Sequence, residues 1–247
     1  MQTQTLHPAA SQPAAAEGIG RLDLYAGIHK ALRLFMSRTL VRIGSSDPRD
    51  DAEVADALQQ LERLLALCEL HLKDENEFVH PALERARPGS AARVAAEHEH
   101  HLEAFADLRD LAGLVAHSAA ATRTAALGRL YRALALFVAE NFQHMQVEET
   151  AHNAVLWAAY TDAELAEIEH AIVGSIPPQA MAEALHWFFP ALNAPERAGM
   201  LAGMRQGMPP QAFTGVLGIA EATLSAADYA KLQRDLQQPA APQLMTT

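Results

Sequence analysis

The sequence predicts an all-α protein, with four long amphipathic helices gathered into a bundle and shorter helices after them. Three observations lead there. Half of the 247 residues are hydrophobic yet only 6% are aromatic, with Ala and Leu dominant, a balance that favours helix over strand. Apolar residues recur in alternating steps of three and four over long stretches, the stripe that a bundle helix buries against its neighbours. Strand-type alternation appears nowhere, nor does a Gly-rich phosphate loop or a nucleophile motif.

The elements follow in order. Residues 1–20 read as a disordered tail, rich in Gln, Ala, Pro and Thr. The first helix is expected from about Arg21 to Ile43, with Leu22, Tyr25, His29, Leu32 and Met36 on its stripe, and Gly44-Ser45-Ser46-Asp47-Pro48 stops it. The second starts near Asp50 and reaches about Val79, where Pro81 kinks or ends it and Arg87-Pro88-Gly89 completes the break. Ser90 is placed to cap the third, whose stripe of Val94, His98, His101, Phe105, Leu108, Ala112 and Val115 runs to about His117. The fourth is expected from about Thr122 to Trp157.

Thr161-Asp162-Ala163-Glu164 is a capping box that opens a shorter helix, ending near Gly174. Pro177-Pro178 then punctuates the chain, and three or four short helices are expected up to about Leu236. Their starts are marked at Asn193-Ala194-Pro195-Glu196, Pro209-Pro210 and Ser225-Ala226-Ala227-Asp228. The chain thus divides into a bundle at 21–174, a C-terminal helical segment at 175–237 and a tail at 238–247. The acidity sits in the bundle: the whole chain has 19 basic and 30 acidic residues, but from Ser175 onward there are 4 and 5.

One pattern occurs twice, His71-Leu72-Lys73-Asp74-Glu75 and His144-Met145-Gln146-Val147-Glu148. A spacing of four puts imidazole and carboxylate on one helix face, one turn apart. The face is the inner one, because Leu61, Leu64 and Cys68 lead to the first pair and Leu127, Leu130, Leu134, Phe137 and Asn141 to the second. A buried carboxylate is costly unless it is paired or bound to a metal. His29 on the first stripe, and His98 and His101 on the third, complete a set of five imidazoles and two carboxylates drawn from four helices. That is too many donors for one ion, and more than a tetrahedral zinc site uses. It suits two ions bridged by the carboxylates, with iron the better match.

Other features read as structural. His80 falls beyond the stripe and is expected at a helix end. His100, His117, His152, His170 and His186 are expected to be solvated or structural, and Glu77, Glu84, Glu99 and Glu149 to lie on solvated faces. Met200, Met204 and Met208 read as core gap-fillers, and His186-Trp187-Phe188-Phe189-Pro190 as an apolar helix end that docks on the bundle. A net charge of -11 without a basic patch argues against nucleic-acid binding. The single cysteine, Cys68, excludes an intrachain disulfide, reads as a small core residue and fits a reducing, cytoplasmic location. No apolar run approaches ~18 residues, so no membrane span is expected, and no positive charge or apolar run before Arg21 signals secretion.

The order His29, His71-x-x-x-Glu75, His98, His144-x-x-x-Glu148 resembles the hemerythrin-like (HHE cation-binding) domain. Ile28-His29-Lys30, Glu77-Phe78-Val79-His80-Pro81-Ala82-Leu83 and Glu97-His98-Glu99 add local likeness. The resemblance covers about Arg21 to Gly174 and implies an up-down four-helix bundle with a non-haem di-iron centre, oxo- or hydroxo- and carboxylate-bridged. By position it implies that His29 and His71 serve one iron, His98 and His144 the other, and that Glu75 and Glu148 bridge. The invertebrate oxygen carriers of the family have two His four apart on the third helix and an Asp as the last carboxylate. Here Leu102 stands four residues after His98, and Glu148 is last; His101 is placed to supply the missing nitrogen, and otherwise a metal position stays open.

The resemblance implies a protein that binds or senses O2, or NO, peroxide or iron itself; no protein partner can be named. The alternative is a di-iron enzyme with peroxidase, catalase or oxidase turnover. Ferritin-like oxidases use Glu-x-x-His, the reverse order at spacing three, which argues against them. A purely structural helical protein is the remaining rival.

Overall fold

The computed structural model describes residues 20–237, and the expected tails lie outside these apart from Gly20. Four long helices form the bundle: α1 (Ala26–Ser45), α2 (Asp51–Asp74), α4 (Ala92–His117) and α5 (Ala120–Val147). They run up and down, with α1 packed on α2 and α5, and α4 on the same two. No helix among the described residues is long and apolar enough to cross a membrane.

Local chemistry sets the helix starts. Asp50 caps α2 by accepting from the Ala52 and Glu53 amides. The first helix begins later than expected, at Ala26, because Asp23 accepts from the amides of Tyr25 and Ala26. Ser90 does not cap α4: its hydroxyl donates back to the Leu83 carbonyl, and Glu84 accepts from the Gly89 and Ala91 amides instead.

Pro81 does not break the second helix. α2 passes through one π-helical turn, Glu75–Val79, into α3 (His80–Ala86), and the His80 amide donates to the Glu75 carbonyl five residues back. Pro81 thereby falls in the first turn of α3, where a missing N–H is tolerated. The same device recurs after α5, which passes through the π-helical turn Glu148–His152 into α6 (Asn153–Ala159). Both wide turns begin at the glutamate of a His-x-x-x-Glu pair.

Two apolar clusters stack along the bundle. The larger gathers Leu32, Phe35 and Met36 of α1, Leu61, Leu64 and Cys68 of α2, Phe105 and Leu108 of α4, and Leu130, Leu134 and Phe137 of α5. The smaller, at the other end, gathers Tyr25, Val79, Leu83, Leu156 and Leu165. The polar residues of each stripe fall between the two. Leu165 comes from α7 (Asp162–Ser175), which opens on the expected capping box of Thr161 and Glu164 and packs over the first π-turn.

The C-terminal segment folds as α8 (Pro178–Ala191), α9 (Ala194–Gly207), α10 (Pro210–Thr223) and α11 (Ala226–Gln237) around Leu185, Phe189, Leu201, Phe213 and Leu232. It docks on the bundle through α8 against α1. Trp187 stacks on Phe35 with ring centroids 3.6 Å apart, and Phe188 lies so close to Gly27 that an added Cβ would sit 3.2 Å from its ring. Lys30 and Glu196 form an ion pair across the same seam.

Phe35 is fully buried where bundle and C-terminal helices meet. Phe35→Ala is expected to destabilise the protein by about 3–5 kcal/mol in denaturant unfolding. Leu136→Ala, at a position 61% exposed, is expected to stay within about 0.5 kcal/mol.

Candidate metal centre

Between the two apolar clusters, six side chains from four helices converge. His29 comes from α1, His71 and Glu75 from the end of α2 and its π-turn, His98 from α4, and His144 and Glu148 from the end of α5 and its π-turn. None is more than 8% exposed. Ligand atoms of His29, His71, Glu75 and Glu148 all lie within 4.8 Å of one another, and so do those of Glu75, His98, His144 and Glu148.

The two carboxylates divide their oxygens between these groups. Glu75 Oε1 lies 3.3 Å from His71 Nε2 and 3.9 Å from His29 Nε2, while its Oε2 lies 3.3 Å from His98 Nε2. Glu148 Oε2 lies 3.3 Å from His29 Nε2, while its Oε1 lies 3.2 Å from His144 Nε2 and 3.8 Å from His98 Nε2.

Outer contacts fix the imidazoles. His29 Nδ1 is 3.0 Å from Glu149 Oε1, His144 Nδ1 is 2.9 Å from Glu97 Oε2, and His98 Nδ1 is 2.9 Å from Asn76 Oδ1. Each of these outer partners is an acceptor, so each Nδ1 donates and carries the ring proton. That leaves Nε2 of a neutral ring with a bare lone pair aimed inward. His98 Nε2 and His144 Nε2 are 3.2 Å apart, lone pair towards lone pair. Among the described residues, the inward atoms His29 Nε2, His71 Nε2 and all four carboxylate oxygens have no hydrogen-bond partner. A set of buried acceptors without donors is repulsive unless protons or a cation stand among them. Nitrogen from fixed rings and oxygen from shared carboxylates suit a transition-metal ion.

The titration tendencies of the bare site report the same strain. Burial, then the charge of Glu148, pushes the Glu75 carboxyl well above the usual carboxylate range. Burial works in the same direction on Glu148, but protons taken up by the facing imidazoles of His144, His29 and His98 outweigh it and hold that carboxyl well below the range. Two like charges this close do not both ionise without a cation. Burial, reinforced by neighbouring imidazoles, drives His71 well below its ordinary value. In His29 and His144 the glutamate partners overcome burial and raise it.

A family model, the hemerythrin HHE cation-binding domain, matches residues 21–156. The chain belongs to that family. No curated protein and no solved structure matches it. All six converging residues fall inside the hemerythrin match, and α7 to α11 lie beyond it.

His101, the seventh residue of the expected set, is buried but belongs to neither group of converging atoms. It lies about 4.5 Å further along the α4 axis than His98, edge-on to His144 and beside Phe137, with Nδ1 unpartnered. Burial, then the charges of His144 and His98, lowers it to about 4.

Two histidines that the sequence reading leaves outside the site are instead buried beside the cluster, where His80, Glu148 and His152 form a third group of mutually close ligand atoms. His80 stacks on His98 with centroids 4.9 Å apart, and His152 Nδ1 shares a 3.1 Å hydrogen bond with the Tyr25 hydroxyl. The Nε2 atoms of both are unpartnered. His152 follows Glu148 by four residues, so spacing carries a signal for it. His80 follows Glu75 by five and is turned inward by the π-turn. Glu149, expected on a solvated face, is half-buried and held by Arg33 at 3.0 Å as well as by His29. His100, His117, His170 and His186 are exposed as expected.

Glu97 touches the cluster only through His144. Glu97→Ala is expected to lower metal affinity roughly 10–100-fold, read in a competition titration with a chelator, while far-UV circular dichroism stays unchanged. Unchanged affinity would refute the outer-contact role.

Proposed function

We propose that this hemerythrin-domain protein holds two non-haem iron ions and uses them to bind or sense O2, or a relative such as NO. The observation that supports a pair of ions is the division of the carboxylates: each of Glu75 and Glu148 offers one oxygen to the His29–His71 side and the other to the His98–His144 side. Four imidazoles and two shared carboxylates exceed what tetrahedral zinc takes and leave room at two iron ions for a small ligand. Bound iron supplies electron exchange with that ligand; the protein's own groups do the rest.

His29, His98 and His144 are aimed by Glu149, Asn76 and Glu97. The apolar clusters above and below exclude water. Cys68 stays a buried core thiol whose pKa burial raises, so it takes no part in redox work. A lone, unreactive thiol is in keeping with a cytoplasmic setting.

A second reading, peroxide or O2 turnover by the same centre, has one observation in its favour. The Tyr25 hydroxyl is buried against His152, beside the cluster, where it can hold or pass a proton.

Anaerobic loading with ferrous iron, followed by air, separates the readings. Binding or sensing predicts a visible absorption band that appears with air and fades on deoxygenation, and that His71→Ala removes. Steady consumption of peroxide, lost in the same variant, would favour the enzyme. Protein that stays colourless and retains no iron would contradict both.

A further inference from the structure

A cavity of about 230 Å³ lies between the bundle and the helices beyond the family match. α1 and α2 form one side; Ile172 of α7, Ala184 and Phe188 of α8, and Met200 and Met204 of α9 form the other. Part of the methionine run that the sequence offers as core filling therefore lines open space. Methionine walls adapt to an occupant's shape. His71 and Glu75 also line the cavity, and their Nε2 and carboxylate oxygens are buried without partners among the described residues.

The charges around this space are one-sided. Asp23, Asp74, Glu75 and Glu169 line it, and among the described residues no lysine or arginine does. Asp23 is occupied in capping α1, and Glu169 is exposed. Asp74 is 5% exposed, and its one hydrogen-bond partner among the described residues is the Ser175 hydroxyl at a long 3.4 Å. It is a largely buried carboxylate with one weak donor, beside an apolar wall.

We infer that this cavity binds a small apolar molecule with a hydrogen-bond-donating head, an alkyl or aryl amine or alcohol. The head meets Asp74 and the body lies beside His71 and Glu75. An apolar cavity of about 150 Å³ takes benzene, so this one takes roughly ten non-hydrogen atoms. The inference does not rest on the iron reading, because Asp74, Ser175 and the α7–α9 wall stand outside the six converging residues. The C-terminal helices then close a ligand chamber over one side of the metal centre.

Calorimetric titration of the full chain as purified, with octylamine, 1-octanol and octanoate, tests this. The amine and the alcohol are expected to bind, and octanoate at least about tenfold more weakly, because its anion would face Asp74 and Glu169. Asp74→Asn is expected to weaken octylamine about tenfold, the worth of a charge-assisted hydrogen bond, and to leave 1-octanol within about threefold. Ala184→Phe fills the chamber and is expected to abolish binding; Met204→Trp, at a partly exposed wall position, does the same if Ala184→Phe fails to fold. Absence of binding by all three probes, octanoate binding as tightly as octylamine, or binding that survives a folded filling variant would overturn the inference. Binding by protein that holds no iron would support it and count only against the proposed function.

Discussion

The structure depends on a crowd of buried acceptors with nothing to accept from. Nε2 atoms from four helices face the carboxylates of Glu75 and Glu148, and the outer contacts at Glu149, Asn76 and Glu97 commit three of the rings to keeping their proton on the far side. In an apolar interior such a group is strongly unfavourable by itself, by several kcal/mol for its unpaired carboxylates and imidazoles together. Cations reverse the sign of each repulsive pair and turn the crowd into the bundle's central fastening. Membership of a cation-binding family and this local electrostatic demand therefore point the same way, from unrelated observations.

The fold meets the demand by dividing each helix into zones. At the start of α1, Tyr25 belongs to the end cluster, His29 to the centre, and Leu32 and Phe35 to the main core; α2, α4 and α5 likewise carry main-core residues and central histidines, and the segments adjoining them fill the end cluster with Val79, Leu83, Ala91 and Leu156. The two π-turns begin at Glu75 and Glu148. A wide turn costs regular hydrogen bonding and recurs at functional positions. Here it adds a residue at the level of the centre, so that His80 reaches the cluster and Pro81 finds a tolerable place in the first turn of α3. Glu75 and His80 are thus linked: the same local irregularity serves both.

Much of this is readable from spacing. The apolar stripes locate the four bundle helices, and the two His-x-x-x-Glu pairs with His29 and His98 mark the residues that the bundle brings together. Period-based reasoning assumes a regular helix, however, and fails where the helix is irregular. Pro81 looks like a terminator because a π-turn leaves no periodic signature, and His80 looks like a helix-end residue for the same reason. His101 shares a stripe with His98, yet a shared stripe spans several turns and does not say which level of the bundle a side chain reaches. Ser90 has the right side chain for a cap, but Glu84 takes the free amides instead. The chamber under α8 and α9 is out of reach of sequence reading, since the docking of α8 on α1 rests on contacts between residues far apart in the chain, such as Phe35 and Trp187.

The C-terminal helices are therefore more than an appendage to a metal-binding bundle. They bury Phe35, cover the His71 side of the centre and hold Met200 and Met204 over it. Their packing rests on α1, which also supplies His29 to the ligand cluster, so the added segment and the centre share one helix. In the proposed reading, bound cations hold the assembly's middle together. Elemental analysis of the full chain, purified without added metal, measures that directly: about two transition-metal ions per chain are expected, and folded protein carrying fewer than about one would contradict it.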